Sequence, residues 1–286
     1  MHVWSKLSSS LWADAWQERL GGVVGVQVVI TEVPGKKSVP VEAFCELEAV
    51  ANTIKSAFGG SVRPVKMENW AAMAPPSNDP IAVRKTLVIC DANTEKKRAA
   101  VAKAYPGREI VAIPPELAFG TGHHATTSTV LGLVADQAAK FKKAKQTWDI
   151  CDLGCGSGIL AIAARKLGAS RAWGCDFDPL AVKVAKENIE RNGVDRVTLV
   201  KADVLKWKPS KQWDCVAANI FYDVLIAAFP TIVSAVKPDG VIWVSGILKT
   251  YVDECLAAGE AAGIHWEKRL VKVGKWVTAQ GRLVKA

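Results

Sequence analysis

Beyond Trp148 the chain alternates short, continuous apolar runs with longer stretches whose apolar residues recur at helical spacing. The runs cover residues 149–153, 172–175, 197–200, 215–219 and 241–245, and the helical stretches cover 159–167, 179–192, 223–236 and 251–262. Strands that are apolar on both faces belong to a parallel sheet enclosed by helices. Residues 266–271 and 276–284 then follow with no helix between them, which predicts a closing antiparallel hairpin.

The amino-terminal part has a different rhythm. Strands are predicted over 3–8, 23–31 and 62–67, and helices over 10–20 and 40–58. The second helix rests on Phe44, Leu47, Val50 and Ile54 at three- and four-residue steps, closed by Gly59-Gly60. This mixture predicts a small α+β domain over 1–67, similar to a ferredoxin-like unit. Pro75-Pro76-Ser77-Asn78-Asp79-Pro80 excludes regular helix and central strand, so 68–85 is read as a linker. The catalytic domain is expected over 86–286, with strands 86–90 and 109–113 at its edge.

Charge and composition narrow the class. The formal charge is +9, from 37 basic and 28 acidic residues. Through Glu68 the seven basic residues balance seven acidic ones, so the excess lies wholly beyond that point. Such an excess fits a face that steers an acidic or nucleic-acid partner, and lysine-rich solvation fits equally well. No apolar run reaches the roughly 18 residues of a membrane span. Met1-His2-Val3-Trp4-Ser5-Lys6 lacks the pattern of a secretory signal, and a cytoplasmic protein is expected. The cysteines are seven and scattered; Cys151 and Cys155 have no second pair, so buried thiols are expected in place of metal ligands.

The sharpest chemical signal is Asp152-Leu153-Gly154-Cys155-Gly156-Ser157-Gly158, between an apolar strand and an apolar helix. Glycines there let backbone approach a ligand where a Cβ would collide. In an open parallel sheet this turn lies at the carboxyl edge, where ligands bind. The glycine spacing is one residue shorter than the dinucleotide fingerprint, which suits a nucleoside without a pyrophosphate. Twenty-two residues beyond Gly154, Cys175-Asp176-Phe177-Asp178-Pro179 ends the next strand. Asp176 can accept from both ribose hydroxyls; Asp178 and Pro179 read as a helix start. Gly154 with Asp176 points to S-adenosylmethionine (AdoMet). Asp203, after the third strand, is left between a contact to the adenine amino group and a turn cap.

Three more stretches add a resemblance. Leu117-Ala118-Phe119-Gly120-Thr121-Gly122-His123-His124-Ala125-Thr126-Thr127, Ala217-Ala218-Asn219-Ile220 and Ser245-Gly246-Ile247-Leu248, with the glycine turn, resemble the ribosomal protein L11 methyltransferase (PrmA) family. The likeness spans about residues 117–283. It implies an α/β class I methyltransferase: a Rossmann-like, seven-stranded, mostly parallel sheet with an antiparallel edge hairpin, beside a small α+β amino-terminal domain that docks the ribosomal protein. It implies AdoMet as cofactor, contacted by Thr127, Gly154, Asp176 and Asn219, and lysine and α-amino groups of ribosomal protein L11 as acceptors. Pro114-Pro115-Glu116 departs from the acidic residue, proline and glycine usual before this signature.

Each implied residue also has its own chemistry. Thr127 offers a hydroxyl toward the methionine end of the cofactor. Asn219, the expected catalytic residue, carries a carbonyl that can accept from an incoming amine. His123 and His124 are candidates for proton relay with no carboxylate close in sequence to orient them. Direct in-line methyl transfer to an amine, without metal, is the expected reaction. The competing readings are methylation of ribosomal RNA or a small molecule, a NAD-dependent oxidoreductase, and a silent AdoMet-binding protein. Asn219 is followed by Ile220-Phe221-Tyr222 and not by the Pro-Pro-aromatic run typical of exocyclic base-amine methylation.

Overall fold

A computed structural model of the chain describes residues 2–9, 13, 16, 20, 23, 26–30, 37–45, 47–64, 80–92, 94–114, 125–272 and 276–284. The chain forms two compact units, Met1–Pro76 and Ser77–Ala286.

In the first unit, strands β1 (His2–Ser9), β2 (Val26–Ile30), β3 (Ser38–Cys45) and β4 (Ser61–Pro64) form an antiparallel sheet in the order β2-β3-β1-β4. Helix α1 (Glu48–Phe58) packs on one face, and Ala13, Trp16 and Leu20 are helical. Trp4 is wholly buried at the centre, its indole donating to the Gly59 carbonyl at 2.6 Å. Trp16 leans on it, with ring centroids 5.5 Å apart. This is the strand order of a split β-α-β unit.

The helix expected over 40–58 is corrected here. Its first part, residues 40–45, belongs to the strand Ser38–Cys45, with Val39, Val41 and Ala43 buried at period two, which pairs with both β1 and β2. Phe44 and Leu47 therefore belong to no helical ridge, and Leu47 is 65% exposed. Only Val50 and Ile54 of the proposed stripe lie in the helix. A chain segment flanked by two strands gains ladder bonds on both sides, which outweighs a weak helical pattern. The 65–67 end of the next expected strand, and most of 10–20, lie outside the described residues.

The second unit holds the seven-stranded sheet. Its strands are β8 (Asp149–Leu153), β9 (Arg171–Asp176), β10 (Val197–Lys201), β11 (Trp213–Asn219), β12 (Val236–Leu248), β13 (Ile264–Lys272) and β14 (Trp276–Leu283). The order is β10-β9-β8-β11-β12-β14-β13, parallel through β12, with β14 antiparallel to β12 and β13. Residues alternate between two cores. Ile150, Cys215 and Ala217 face α3 (Ala125–Ala144) and α4 (Ile159–Lys166). Cys151, Val216 and Ala218 face α6 (Tyr222–Ala235) and α7 (Val252–Ala261). Helix α5 (Pro179–Asn192) covers β9 and β10. All seven cysteines are buried with free thiols. No helix among the described residues is long and apolar enough to cross a membrane.

At the opposite, amino-terminal edge of the sheet, two carboxylates lock adjacent strands. Asp149 and Asp214 each accept the other's backbone amide, at 3.1 and 2.9 Å, and each also binds a lysine, Lys211 and Lys237.

Strands expected at the edge of the catalytic domain form a sheet of their own. β5 (Ile81–Val83), β6 (Leu87–Cys90) and β7 (Glu109–Ala112) pair in that order, with α2 (Glu95–Ala104) between the last two in sequence. Leu87, Ile89, Val111 and Ile113 join the same core as Val130 and Val134 of α3. Residues 81–83, read as linker, are thus strand. Arg84 in the β5–β6 turn forks onto Asp136 of α3 at 2.7 and 2.8 Å.

Phe229, 1% exposed and edge-on to Trp266, joins α6 to the hairpin side of the core. Phe229→Ala is expected to destabilise the protein by about 3–5 kcal/mol in denaturant unfolding. A loss under 1 kcal/mol contradicts this packing.

Candidate functional site

The carboxyl edge of the parallel sheet is built by a turn that only glycine can make. After β8 the backbone is left-handed at Gly154 (φ 74°), Gly156 (φ 50°) and Gly158 (φ 77°), the last of which opens α4. The amides of Gly154 and Cys155 both donate to the Cys175 carbonyl, at 2.8 and 2.9 Å. The turn is thereby strapped across the end of β9.

Asp176, the last residue of β9, continues the strap. One carboxylate oxygen accepts from the Gly156 amide at 2.9 Å and the other from the Asp178 amide at 3.1 Å. A carboxylate offers about four lone-pair sites, so two are left for a ligand such as a ribose diol. Burial raises the pKa of Asp176 against the opposing pull of those amides. Asp178 caps α5 by accepting from the Leu180 amide at 2.8 Å, with Pro179 at the first turn, as the sequence reads.

The strand beside β8 supplies the other side. Asn219 ends β11, and its side-chain amide donates to the Thr127 hydroxyl of α3 at 3.3 Å. The Asn219 carbonyl oxygen is buried and has no hydrogen-bond partner among the described residues. Thr127 is itself 1% exposed. Ile220 wedges between strand tips: a methyl on Gly154 would overlap its Cγ2, and one on Gly246 its carbonyl oxygen. The structure therefore brings Thr127, Gly154, Asp176 and Asn219 to one edge.

One residue had no role in the sequence reading. Asp152, next to last in β8, is 1% exposed, and neither carboxylate oxygen finds a partner among the described residues. Burial, and then the charge of nearby Asp176, push its pKa up to about 7. The available signal was an acid at an inner position of a central strand, between apolar neighbours Cys151 and Leu153. Buried acceptors without donors suit a ligand that brings both a cation and hydroxyls. AdoMet fits: Asp176 is available to its ribose, and Asp152 and Asn219 offer acceptors toward the same edge.

Asp203 makes turn contacts, which leave carboxylate lone pairs for a further ligand contact. Its carboxylate accepts from the Leu205 amide at 3.0 Å, and its carbonyl accepts from Lys206 and Trp207. These are the contacts of a turn cap. His123, His124 and the signature residues 117–124 lie outside the described residues, as do Pro115 and Glu116 of the departing segment.

Comparison with known proteins gives consistent matches. A family profile described as "Ribosomal protein L11 methyltransferase (PrmA)" matches residues 4–283. The chain is 36% identical over 224 residues to the ribosomal protein L11 methyltransferase of Pelotomaculum thermopropionicum, covering 78% of this chain and 68% of that one. It is 33% identical to the protein of that name from Caldanaerobacter subterraneus subsp. tengcongensis, covering 79% and 69%. Among solved structures, the ribosomal protein L11 methylase of Lactobacillus delbrueckii subsp. bulgaricus superposes with a TM-score of 0.58 at 26% identity, over 71% of this chain and 98% of that one.

Two outcomes follow from this geometry. Gly154→Ala places a side chain in left-handed backbone, costing at least about 1–2 kcal/mol before the overlap with Ile220. S-adenosylhomocysteine (AdoHcy) binding, measured by calorimetry, is expected to weaken at least tenfold; parent-like affinity contradicts the close approach. Asp152 has a folded pKa raised above its ordinary 3.8. Its contribution is neutral while it is protonated in both states, and turns unfavourable as pH rises from about 4 through about 7. Relative to the parent, Asp152→Asn should therefore gain stability at pH 8 and not at pH 4. An equal difference at both values contradicts the assignment.

Proposed function

The chain belongs to the ribosomal protein L11 methyltransferase family, and from that membership we propose how this AdoMet-dependent protein N-methyltransferase works and on what. We propose that its acceptor is ribosomal protein L11, at lysine side chains and the α-amino group, with catalysis at Asn219. The observation that carries the reading is the buried Asn219 carbonyl beside the glycine turn, without a hydrogen-bond partner among the described residues.

When bound, AdoMet supplies an electrophilic methyl group on a sulfonium. Gly154 and its turn seat the cofactor without a side chain in the way. Asp176 takes the ribose hydroxyls, and Asp152 is the acid available to a cationic group. Thr127 bonds the Asn219 amide nitrogen, which leaves the carbonyl oxygen for the acceptor. An amine attacks only through its lone pair. A lysine with a pKa near 10.4 is neutral in about one molecule in 2,000 at pH 7, a cost of about 4–5 kcal/mol. An α-amino group with a pKa near 8 costs about 1 kcal/mol. Enclosure favours the neutral amine. The Asn219 oxygen then accepts an N–H, turning the lone pair toward the methyl group and holding the reacting atoms in line.

We assign docking of L11 to the amino-terminal unit. The sheet face away from α1, where Val3 and Phe44 are buried, presents at its far end Leu7, Pro40 and Val29, all exposed, at directly paired or neighbouring positions. Leu7 is 68% exposed. We place the reaction in the cytoplasm, where a ribosomal protein is available to it.

With labelled AdoMet and purified L11, Asn219→Ala is expected to lower kcat by about a hundredfold, with AdoHcy affinity within a few-fold of the parent. An unchanged rate contradicts the role of Asn219, and label in ribosomal RNA instead of protein contradicts the substrate. Leu7→Asp is expected to raise KM for L11 several-fold without changing AdoHcy binding. An unchanged KM removes the docking face.

A further inference from the structure

Helix α5 carries two asparagines one turn apart on its buried face, and neither serves the helix itself as its main task. Asn188 is 0% exposed, and its amide donates to the Ser157 carbonyl in the glycine turn at 3.0 Å. Asn192 is 6% exposed and exchanges two bonds with Ala112 of β7: the Ala112 amide donates to its carbonyl, and its own amide donates to the Ala112 carbonyl, both at 2.8 Å. The Asn192 amide also donates to the Asn188 backbone carbonyl at 2.8 Å. Asn192 therefore acts toward β7 as a further strand would. The guanidinium of Arg191 donates to the Asn188 side-chain oxygen, which leaves the Asn188 amide directed at Ser157. Arg98 of α2 in turn donates to the Arg191 carbonyl.

Helix interiors disfavour asparagine, and a buried amide is retained only with its bonds made. An apolar residue at 188 would leave the Ser157 carbonyl buried beside it without that donor. The Ser157 peptide lies between two left-handed glycines, Gly156 and Gly158, where the backbone has the most freedom to rotate. The Gly156 amide at the start of this segment is the one that reaches Asp176. Fixing the Ser157 carbonyl fixes the plane of the turn on the side away from Asp176.

We infer that Asn188, oriented by Arg191, is a positioning residue for the cofactor turn, and that with Asn192 it registers strand β7 to that turn through α5. This rests on the reading that the turn seats AdoMet. It adds that the turn's conformation before binding is set from behind, by a side chain that never touches the ligand.

The test measures AdoHcy affinity by calorimetry, kcat at saturating AdoMet, and stability in denaturant for Asn188→Ala and Arg191→Ala, with Phe229→Ala as a control for general destabilisation. Asn188→Ala is expected to weaken AdoHcy about tenfold while kcat at saturation stays within twofold. Arg191→Ala, at a half-buried position, is expected to weaken it about threefold in the same pattern. Phe229→Ala should lose stability with affinity intact. Parent-like affinity in both α5 variants overturns the inference, and so does an equal loss in the control. Should Asn188→Ala not fold, Arg191→Ala decides alone. Failure of the parent to bind AdoHcy would instead strike the reading of the turn itself, a separate outcome.

Discussion

The site depends on a convergence of backbone amides on the end of β9. Gly154, Cys155 and Gly156 direct three successive N–H groups at the Cys175 carbonyl and the Asp176 carboxylate. A first-strand turn of this tightness exposes amides that the helix behind it cannot satisfy, and the neighbouring strand satisfies them. The strap also decides where Asp176 points. Its two oxygens are held by amides of the turn and of its own loop, which leaves lone pairs for a ligand.

Around that strap the sheet is arranged to hold charge where charge is unfavourable. Asp152 and Asp176 lie near the ends of adjacent parallel strands, both buried, and among the described residues only Asp176 has donors. The helices on either face exclude water from the pair, and the amino-terminal edge is locked by the reciprocal Asp149–Asp214 bonds. An unpaired acid in a central strand is a stability defect that persists in a binding site because the ligand supplies what the protein withholds. The buried Asn219 oxygen, without a donor among the described residues, follows the same logic at the acceptor side. The amide nitrogen is bonded to Thr127, so the oxygen is the half left over for a ligand.

Most of this frame was legible in the residues. The parallel strands declare themselves as short apolar runs, and their two-sided burial is why the pattern is unambiguous. The glycine turn and Asp176 were legible because each needs a residue type that sterics or charge make almost irreplaceable. Asp178-Pro179 announced the start of α5. What failed was local pattern without context. Residues 38–45 carry a period-two apolar set, but Phe44, Leu47, Val50 and Ile54 overlay a helical one, and only pairing with β1 and β2 decides between them. Residues 81–83 are too short to signal a strand without β6 beside them. Asp152 and Asn188 were passed over because a polar residue in an apolar element has no meaning until its partners, or their absence, are seen.

The central claim is that the strapped turn and Asp176 together form the seat of a sulfonium nucleoside. Titrating AdoHcy into the parent protein and into Asp176→Ala in a calorimeter tests it most directly. Saturable heat with the parent and an affinity about a hundredfold weaker in the variant, as expected for losing charged hydrogen bonds to a diol, is the predicted result. No heat with the parent, or the same dissociation constant for both, would contradict it.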